Sequence, residues 1–531
     1  MNATSRRLLA VAAATALTAP LLLSASAASA HNRPDPAKDA AKLARKLVKE
    51  ASGKDAYKHL KKFQDIADSA DGHRAAGSLG HDASAAYVYS LLKKAGYDVS
   101  YDSFEFTYIE TQAQTLKVTA PTPRDSEITA MSYTKSTPKG GIEAELAVVP
   151  VDATTGCEPG DYAAGAFTGK IALIQRGGCD FAVKQQTAAG AGAVAAIVSN
   201  NTEGALSGTL GDPAAARIPT GGVTQAEGAR LAAEAAAGPV KVSLDIRQLQ
   251  EKRVTRNVIA ETKGGKAANT VMLGSHLDSV TAGPGINDNA SGSAGLLEVA
   301  LDLAKSHEKP ANKVRFAWWS AEELGLLGAE DYVKGLSPEQ AEQIKLYLNF
   351  DMIGSPNFGQ FVYDGDNSDG VGEGPGPEGS AQLEKGITDF LDSVDYPHEG
   401  TDFTGRSDYG PFIEVGIPSG GTFTGAEGIK TAEQAAKFGG EAGVAYDACY
   451  HAACDDLDNI NKEAFDVNID VIANAVGHYA HDLSPLTAKA GAAGAGAAGA
   501  AGAAPSAKVE HTTGGDTGVG ASNAHEHESR A

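Results

Sequence analysis

The sequence predicts an α/β protein whose main domain is a three-layer α/β/α sandwich with a mixed, largely parallel sheet. From Arg256 onward, apolar strand-like runs such as TVMLGS and VRFAWWS alternate with helical segments such as SAGLLEVALDLAKS, which is typical of a parallel sheet covered by helices. Residues 118–250 differ, with short β-like runs among many Gly, Ala and Pro, and they indicate a second, β-rich domain. A chain of 531 residues is long enough for both.

The first thirty residues have the pattern of a signal peptide. Arg6 and Arg7 precede an apolar stretch from Leu8 to Leu23, and Ala28-Ser29-Ala30 resembles a cleavage site. The start is also weakly similar to twin-arginine leaders, so two export routes stay open. No later run of 18 apolar residues occurs, and we expect no membrane span. The sequence therefore predicts a secreted, extracellular protein.

Residues 36–118 are predicted to contain helices followed by a strand. The run AAKLARKLVK within residues 36–62 has apolar residues at helical spacing. A second helix is expected from Ser84 to Lys94, ended by Gly96, and the alternation from Tyr97 to Tyr108 indicates a strand.

Net charge excludes one class of partner. The formal charge of −22 becomes −24 when the leader, with two Arg and no acid, is removed. Nucleic acids require Lys/Arg patches, which the sequence lacks, so none is expected as a partner. The acidity suits a cationic substrate group such as a peptide amine, although solubility alone would also explain it. The Ala/Gly-rich segment 485–531 has little to bury, and we expect it to be disordered.

The four cysteines form two local pairs, Cys157 with Cys179 and Cys449 with Cys454. An even count in an exported chain favours two short-range disulfides. A Cys2His2 zinc site is the alternative, but no CxxC spacing is present. We therefore predict disulfides.

Five residues of metal-ligand type stand where apolar runs give way to turns: His276, Asp288, Glu323, Asp351 and His451. Two imidazoles with three carboxylates suit zinc better than calcium or magnesium. Most of the five follow predicted strands, and the carboxyl ends of strands gather ligands in open α/β folds. Caps and ordinary polar contacts would explain each residue alone, but not the two histidines together with the acids. The pattern predicts a two-metal hydrolase, with Glu322 as its general base.

Residues 254–470 closely resemble the M28 family of zinc exopeptidases, in particular its secreted bacterial aminopeptidases. The strings that carry the resemblance are HLDSVTAGPGINDNASGSAG, RFAWWSAEELGLLG, LNFDMIGSP, GRSDYGPF and CYHAACD. Residues 59–106 resemble the N-terminal part of the same domain. Residues 120–245, with KIALIQRGGCDFAVKQQTAAGAGAVAAIVSN, resemble a protease-associated (PA) domain inserted into it, which would narrow access to the site or dock peptides. The expected domains are 1–30 leader, 36–118 first peptidase part, 119–250 PA insertion, 251–484 main peptidase part and 485–531 tail.

The resemblance implies two zinc ions per chain. The family pattern divides the ligands as follows: His276 and Asp351 on one ion, Glu323 and His451 on the other, and Asp288 on both. A water between the ions would become hydroxide near neutral pH. Glu322 would take its proton and pass it to the leaving amine, while the hydroxyl of Tyr450 would donate to the developing oxyanion.

Further roles are expected around this centre. The carboxylate of Asp278 is placed to accept the second imidazole N–H of His276. Arg406 matches a family residue near the substrate terminus, or else braces Asp408. Other roles are implied by the resemblance alone. Met352 and Phe423 would line a hydrophobic side-chain pocket, and Asp466 and Asp470 would form a calcium site.

We therefore expect a secreted dizinc aminopeptidase that releases large hydrophobic, Leu-like residues. Its expected partners are peptides and proteins with a free N-terminus, with no membrane partner, and a monomer is expected. A carboxypeptidase of the same family is the alternative, because some relatives with PA insertions have that activity. A non-catalytic PA-domain binding protein and a one-zinc glutaminyl cyclase are disfavoured by the complete ligand set.

Overall fold

The computed structural model describes residues 35–202, 204–372 and 374–487. The predicted leader and nearly all of the predicted tail lie outside the described residues. Within the described part, no helix has both the length and the apolar character needed to cross a membrane.

The helices are α1 (Pro36–Glu50), α2 (Gly53–Asp68), α3 (Leu79–Ala95), α4 (Phe181–Gly190), α5 (Gln225–Ala237), α6 (Gly292–Ser306), α7 (Leu327–Lys334), α8 (Pro338–Gln343), α9 (Ser380–Ser393), α10 (Gly410–Glu414), α11 (Ala432–Phe438) and α12 (Lys462–Tyr479). The strands are β1 (Asp98–Ala120), β2 (Arg124–Ser126), β3 (Thr129–Ala130), β4 (Ile142–Val148), β5 (Ile171–Gln175), β6 (Ala195–Ser199), β7 (Thr220–Val223), β8 (Lys241–Glu261), β9 (Lys266–His276), β10 (Asn312–Trp319), β11 (Ile344–Phe350), β12 (Phe361–Tyr363), β13 (Glu399–Thr401) and β14 (Ser419–Phe423).

The main domain contains a mixed sheet with the order β13-β12-β14-β11-β9-β10-β8, and β1 pairs with the other edge of β8. Its central strands β14, β11, β9 and β10 are parallel to one another. At one side of the sheet, β8 pairs antiparallel with β10, and β1 pairs antiparallel with β8. This arrangement confirms the predicted mixed, largely parallel sheet.

Helices cover both faces of this sheet. Successive residues of a strand point to opposite faces, so Trp318 packs with one core and Trp319 with the other. The Trp318 core includes apolar residues of α1, α2, α3, α6, α9 and α12. The Trp319 core includes residues of α7 and α10. The predicted three-layer sandwich is thus confirmed.

The region between β1 and β8 forms its own small sheet. β4, β5, β6 and β7 are parallel, and β3 pairs antiparallel with β7. Residues of α4 and α5 pack against its cores. Cys157 and Cys179 form a disulfide here, as predicted. β1 and β8 pair along their whole length, and β8 also pairs with β4, so both strands run from the main sheet into this region. The predicted borders at 118/119 and 250/251 fall inside these two strands.

Residues 36–62, predicted as one helical segment, belong to two helices, α1 and α2. Ser52 accepts a hydrogen bond from the main-chain N–H of Asp55 and so caps the start of α2. The chain turns at Ala51, which is extended. α3 ends where predicted, at Gly96, whose φ of 101° suits a residue without Cβ.

Candidate active site

Three neighbouring strands deliver metal-ligand-type side chains to one edge of the main sheet. β9 ends at His276, and β11 ends immediately before Asp351. β10 ends at Trp319, and the 3₁₀ turn that follows begins with Glu322 and Glu323. Since these strands are parallel neighbours, their carboxyl ends meet at the same edge.

The other two residues of the predicted ligand set come from loops. Asp288 lies in the turn Ile286–Ser291 that precedes α6, and its main-chain N–H donates to Oδ2 of Asp455 over 3.0 Å. His451 lies between Cys449 and Cys454, which form the second predicted disulfide. Both loops therefore have fixed positions relative to the strand ends.

The carboxylate of Asp288 lies between the two imidazoles. Its Oδ1 is 3.2 Å from Nε2 of His276, and its Oδ2 is 3.1 Å from Nε2 of His451. Oδ1 of Asp351 is 3.3 Å from the same nitrogen of His276. Oε2 of Glu323 is 3.0 Å from Nε2 of His451. The five side chains thus form two groups that share Asp288.

This cluster has the chemistry of a metal centre. All five side chains are buried. Burial and the nearby Asp288 carboxylate raise the pKa of Glu323 to about 7, although His451 lowers it. Buried carboxylates in excess of the imidazoles leave a negative charge that bound cations would offset. A mixed nitrogen and oxygen donor set fits zinc, so the residues fit the ions expected from the sequence.

Glu322 lies beside the predicted ligand Glu323 on the same turn. Its Oε2 is 3.8 Å from Nε2 of His276, and its main-chain N–H donates to Oδ1 of Asp278 over 3.3 Å. Burial raises its pKa well above the ordinary value; His276 opposes this and the carboxylate of Asp351 adds to it. A raised pKa suits a group that must accept a proton and later return it.

Asp278 contacts His276 mainly through its main chain. Nδ1 of His276 is 3.2 Å from the carbonyl oxygen of Asp278 and 3.8 Å from the carboxylate. The carbonyl can accept the N–H at Nδ1 and leave Nε2 free for a metal. The carboxylate of Asp278 instead holds the main chain at Glu322.

Three non-glycine residues at the site have left-handed backbone conformations. They are Ala321 (φ 58°), Met352 (φ 50°) and His451 (φ 55°). His451 is a predicted ligand, Met352 follows the predicted ligand Asp351, and Ala321 precedes Glu322. Such conformations cost about 1–3 kcal/mol each and persist where surrounding contacts fix them. At Met352, the main-chain N–H donates to Oδ1 of Asn289.

A cavity of about 410 Å³ opens beside Glu322 and Asp351. Met352, Phe423, Arg406 and Tyr450 line it, so the structure brings together all the residues predicted to contact substrate.

Tyr450 has surroundings that keep its hydroxyl neutral. Its ring stacks on His451 with 3.8 Å between the centroids. Burial, and then the Asp288 carboxylate, raise the pKa of Tyr450 well above its ordinary value. Arg406 donates to the Tyr450 hydroxyl over 3.4 Å and to Oε1 of Glu427 over 2.8 Å. Arg406 is therefore paired with Glu427 rather than bracing Asp408.

Several residues at the site were not given roles from the sequence. Oγ of Ser407 donates to Oδ2 of Asp351 over 2.6 Å. The guanidinium of Arg74 is fully buried and donates to the carbonyl oxygens of Leu277, Pro284 and Gly285. These hydrogen bonds fix the loop before Asp288. Ser407 and Asp455 lie within the strings GRSDYGPF and CYHAACD, and Arg74 lies in HRAAGSLGHDASAAYV, within residues 59–106 that resemble the N-terminal part of the peptidase domain.

The two residues predicted to bind calcium lie one turn apart on α12. Oδ1 of Asp466 accepts a hydrogen bond of 2.6 Å from the main-chain N–H of Gly53, at the start of α2. Burial and the neighbouring Asp466 raise the pKa of Asp470 to about 7. Calcium binding here stays a prediction.

Comparisons with known proteins match both parts of the chain. The model of peptidase family M28 matches residues 257–476, and that of the PA domain matches residues 142–231. Leucine aminopeptidase 2 of Trichophyton tonsurans is 45% identical over 441 residues, which are 82% of this chain and 86% of that protein.

Solved structures agree with these matches. The aminopeptidase from Aneurinibacillus sp. strain AM-1 has a TM-score of 0.67 and 29% identity over 82% of this chain and 95% of its own. A zinc aminopeptidase from Bacillus subtilis has a TM-score of 0.59 and 26% identity, and covers 80% of this chain and 94% of its own. The chain therefore belongs to peptidase family M28 and carries a PA domain.

Proposed function

We propose that this M28 aminopeptidase is a secreted enzyme that holds two zinc ions and releases large hydrophobic, Leu-like residues from the N-termini of peptides. The position of Asp288 carries the proposal. Its two oxygens face different histidines at 3.2 and 3.1 Å, as expected of a carboxylate shared by two ions. His276 and Asp351 would complete one ion's ligands, and Glu323 and His451 the other's.

The side chains around the ligands supply the proton transfers. When bound, zinc supplies a Lewis acid and lowers the pKa of the attacking water. Glu322 accepts the proton of that water and returns it to the leaving amine. The hydroxyl of Tyr450, kept neutral by burial, donates to the oxyanion that develops on the substrate carbonyl.

The cavity beside Met352 and Phe423 favours an N-terminal residue with a bulky apolar side chain. It lies next to the acids Glu322 and Asp351, which can accept hydrogen bonds from a free α-ammonium group. A carboxypeptidase would need a cationic clamp for the C-terminal carboxylate. Arg406, the one cation that lines this cavity among the described residues, is already paired with Glu427.

The leader pattern supports export, and a monomer is the simplest state for an enzyme with both ligand groups in one chain. Calcium at Asp466 and Asp470 is proposed as a structural ion, separate from the chemistry.

Hydrolysis of leucine p-nitroanilide and of its N-acetylated form tests the proposal. We expect cleavage of the free-amine substrate alone, lost on chelation and restored by zinc. Cleavage of neither substrate by zinc-loaded protein would contradict it and favour the carboxypeptidase alternative. Cleavage of the acetylated form would show that no free amine is required.

A further inference from the structure

The metal-ligand cluster separates two cavities. Glu322 and Asp351 line the pocket of about 410 Å³, whereas Glu323 and His451 line a second cavity of about 720 Å³. The far wall of the second cavity is formed by Tyr108–Gln114 of β1, by Thr129 and Ala130 of β3, and by Gly208 within the matched PA domain. A substrate with its N-terminal residue in the first pocket would extend past the cluster into the second cavity.

The wall formed by β1 is a strand edge. β1 pairs with β8 on one side, and β2 covers its other side only from Leu116 to Val118. Ile109 and Thr111 lie in the uncovered stretch and line the cavity. Unpaired strand edges offer main-chain donors and acceptors to an extended peptide.

The register of the ladder shows which groups face this edge. Thr111 lies opposite Gln248, and the N–H of Gln248 donates away from β1, to Oγ of Ser136. In an antiparallel ladder, two opposite residues either bond to each other or both point away. Thr111 therefore directs its N–H and C=O toward the free edge.

The same alternation holds from Thr107 to Thr111, because the register shifts only after Thr111. Ile109 and Thr107 lie opposite Gln250 and Lys252. Gln250 and Lys252 are an even number of residues from Gln248, so their N–H groups also point away from β1. Just past the end of β8, Thr262 is also an even number of residues from Gln248, and its N–H donates to the carbonyl oxygen of Val314 in β10, again away from β1. Among the described residues, no turn, loop or side-chain hydrogen bond reaches the main chain of Ile109 or Thr111.

The charges of the second cavity favour binding of a peptide's main chain over binding of its C-terminal carboxylate. Apart from Asp278, Glu323 and His451 at the metal centre, its described lining contains one acid, Glu110, one histidine, His73, and no Lys or Arg. No cation is present there to fix a C-terminal carboxylate at one distance. The wall therefore suits peptides of variable length.

We propose that the free edge of β1 at residues 107–111 binds the part of the substrate that follows the scissile bond, as an added β-strand. This rests on the proposed aminopeptidase function. Recognition through the main chain tolerates any sequence beyond the N-terminal residue, while the pocket beside Met352 sets the preference for that residue. The peptide-binding wall would thus lie on β1, the strand that runs from the peptidase sheet toward the PA domain.

N-methylated substrates test the pairing without changing the protein. The substrate is leucyl-tetra-alanine with a single N-methyl group on its third, fourth or fifth residue, and the readout is initial release of leucine. Since alternate amides face the β1 edge, methylation should lower kcat/KM by about three- to tenfold at alternate positions only. Equal losses at all three positions, or no loss at any, would overturn the proposal.

A pair of variants tests the site. Thr111→Pro removes the outward N–H, whereas Thr111→Ala keeps it. We expect T111P to lower the ratio of kcat/KM for leucyl-tetra-alanine to kcat/KM for leucine p-nitroanilide by about three- to tenfold, whereas T111A should keep the parent's ratio. An unchanged ratio of the two substrates in T111P would overturn the proposal. If T111P misfolds and loses both activities, the N-methyl series decides.

These outcomes separate the two proposals. Failure of the parent enzyme to cleave leucine p-nitroanilide would contradict the proposed function. Cleavage of that substrate without alternation in the N-methyl series would contradict only the role of β1.

Discussion

Oγ of Ser407 donates to Oδ2 of Asp351 over 2.6 Å, so a residue outside the predicted ligand set orients the carboxylate of a predicted ligand. Asn349 in turn donates to Oγ of Ser407 over 2.7 Å. The second oxygen of Asp351 is left facing Nε2 of His276 at 3.3 Å. The carboxylate of Asp351 is thus held by a chain of hydrogen bonds that begins at Asn349 of β11, the strand that precedes it.

Removing this hydroxyl should weaken the metal centre. We expect Ser407→Ala to lower zinc affinity or activity by about 10–100-fold, because partners that orient ligands typically have effects of this size. The measurement is leucine p-nitroanilide hydrolysis across a series of free zinc concentrations. Ser393→Ala is the control, since the Ser393 hydroxyl bonds only within α9 and is exposed. A zinc titration of S407A that overlays the parent would show that Asp351 needs no such partner.

The adjacent acids Glu322 and Glu323 should respond differently to the same change. Glu322→Gln should keep zinc and lower kcat by about 10²–10⁴-fold, because an amide cannot accept the proton. Glu323→Gln should lose zinc, since Glu323 pairs with His451 in one ligand group. Metal analysis and kcat of both variants decide the assignment. Zinc loss from E322Q, with zinc retained in E323Q, would reverse the two roles.

Asp470 should give stability a dependence on pH. Its pKa in the folded protein is raised from 3.8 to about 7, so between these values the folded state keeps a proton that the unfolded chain loses. The free energy of unfolding therefore falls as pH rises through this window. We expect Asp470→Asn to reduce the fall in Tm between about pH 5 and about pH 8. Asp389→Asn, at an exposed position of α9, is the control.

Calcium provides a second readout at the same place. If Asp466 and Asp470 share an ion, calcium should raise Tm more at about pH 8, where Asp470 is ionised, than at about pH 5. The rise should disappear in D470N. An equal rise in D470N would place the calcium elsewhere.

The two disulfides should have separable effects. Replacing Cys449 and Cys454 by Ser frees the loop that holds Tyr450 and His451, so activity should fall although loop closure contributes only about 2 kcal/mol. Replacing Cys157 and Cys179 removes a longer loop, worth about 3 kcal/mol, in the PA domain. Leucine p-nitroanilide hydrolysis by the second variant should stay near the parent value. Equal activity losses would show that the disulfides act only through global stability.

Residue chemistry explains what could be predicted from the sequence. His276, His451 and the three acids are types that rarely gather in a buried site without a metal, and strand-helix alternation places most of them at one sheet edge. Ser407 and Arg74 were not predicted because serine and arginine have many ordinary roles. Their partners are Asp351 and the carbonyl oxygens before Asp288, which only the fold brings near.

Strand lengths were harder to predict, for a physical reason. The predicted strand ended at Tyr108, where alternation stops, but β1 continues to Ala120. Residues 110–112 are exposed, because here the strand passes between the two sheets with no apolar layer against it. Alternation reports one-sided burial, so it disappears where neither side is buried.

The pairing of β1 with β8 has a consequence for how the chain folds. The two strands are separated by residues 121–240, and closing so long a loop costs entropy before any contact forms. Val118 and Val242, at the PA end of the ladder, are brought together once the intervening segment has folded. We therefore expect the PA domain to form first, after which the ladder closes residue by residue toward Asp98 and Glu261. The insertion would then act as the template on which one side of the peptidase sheet assembles.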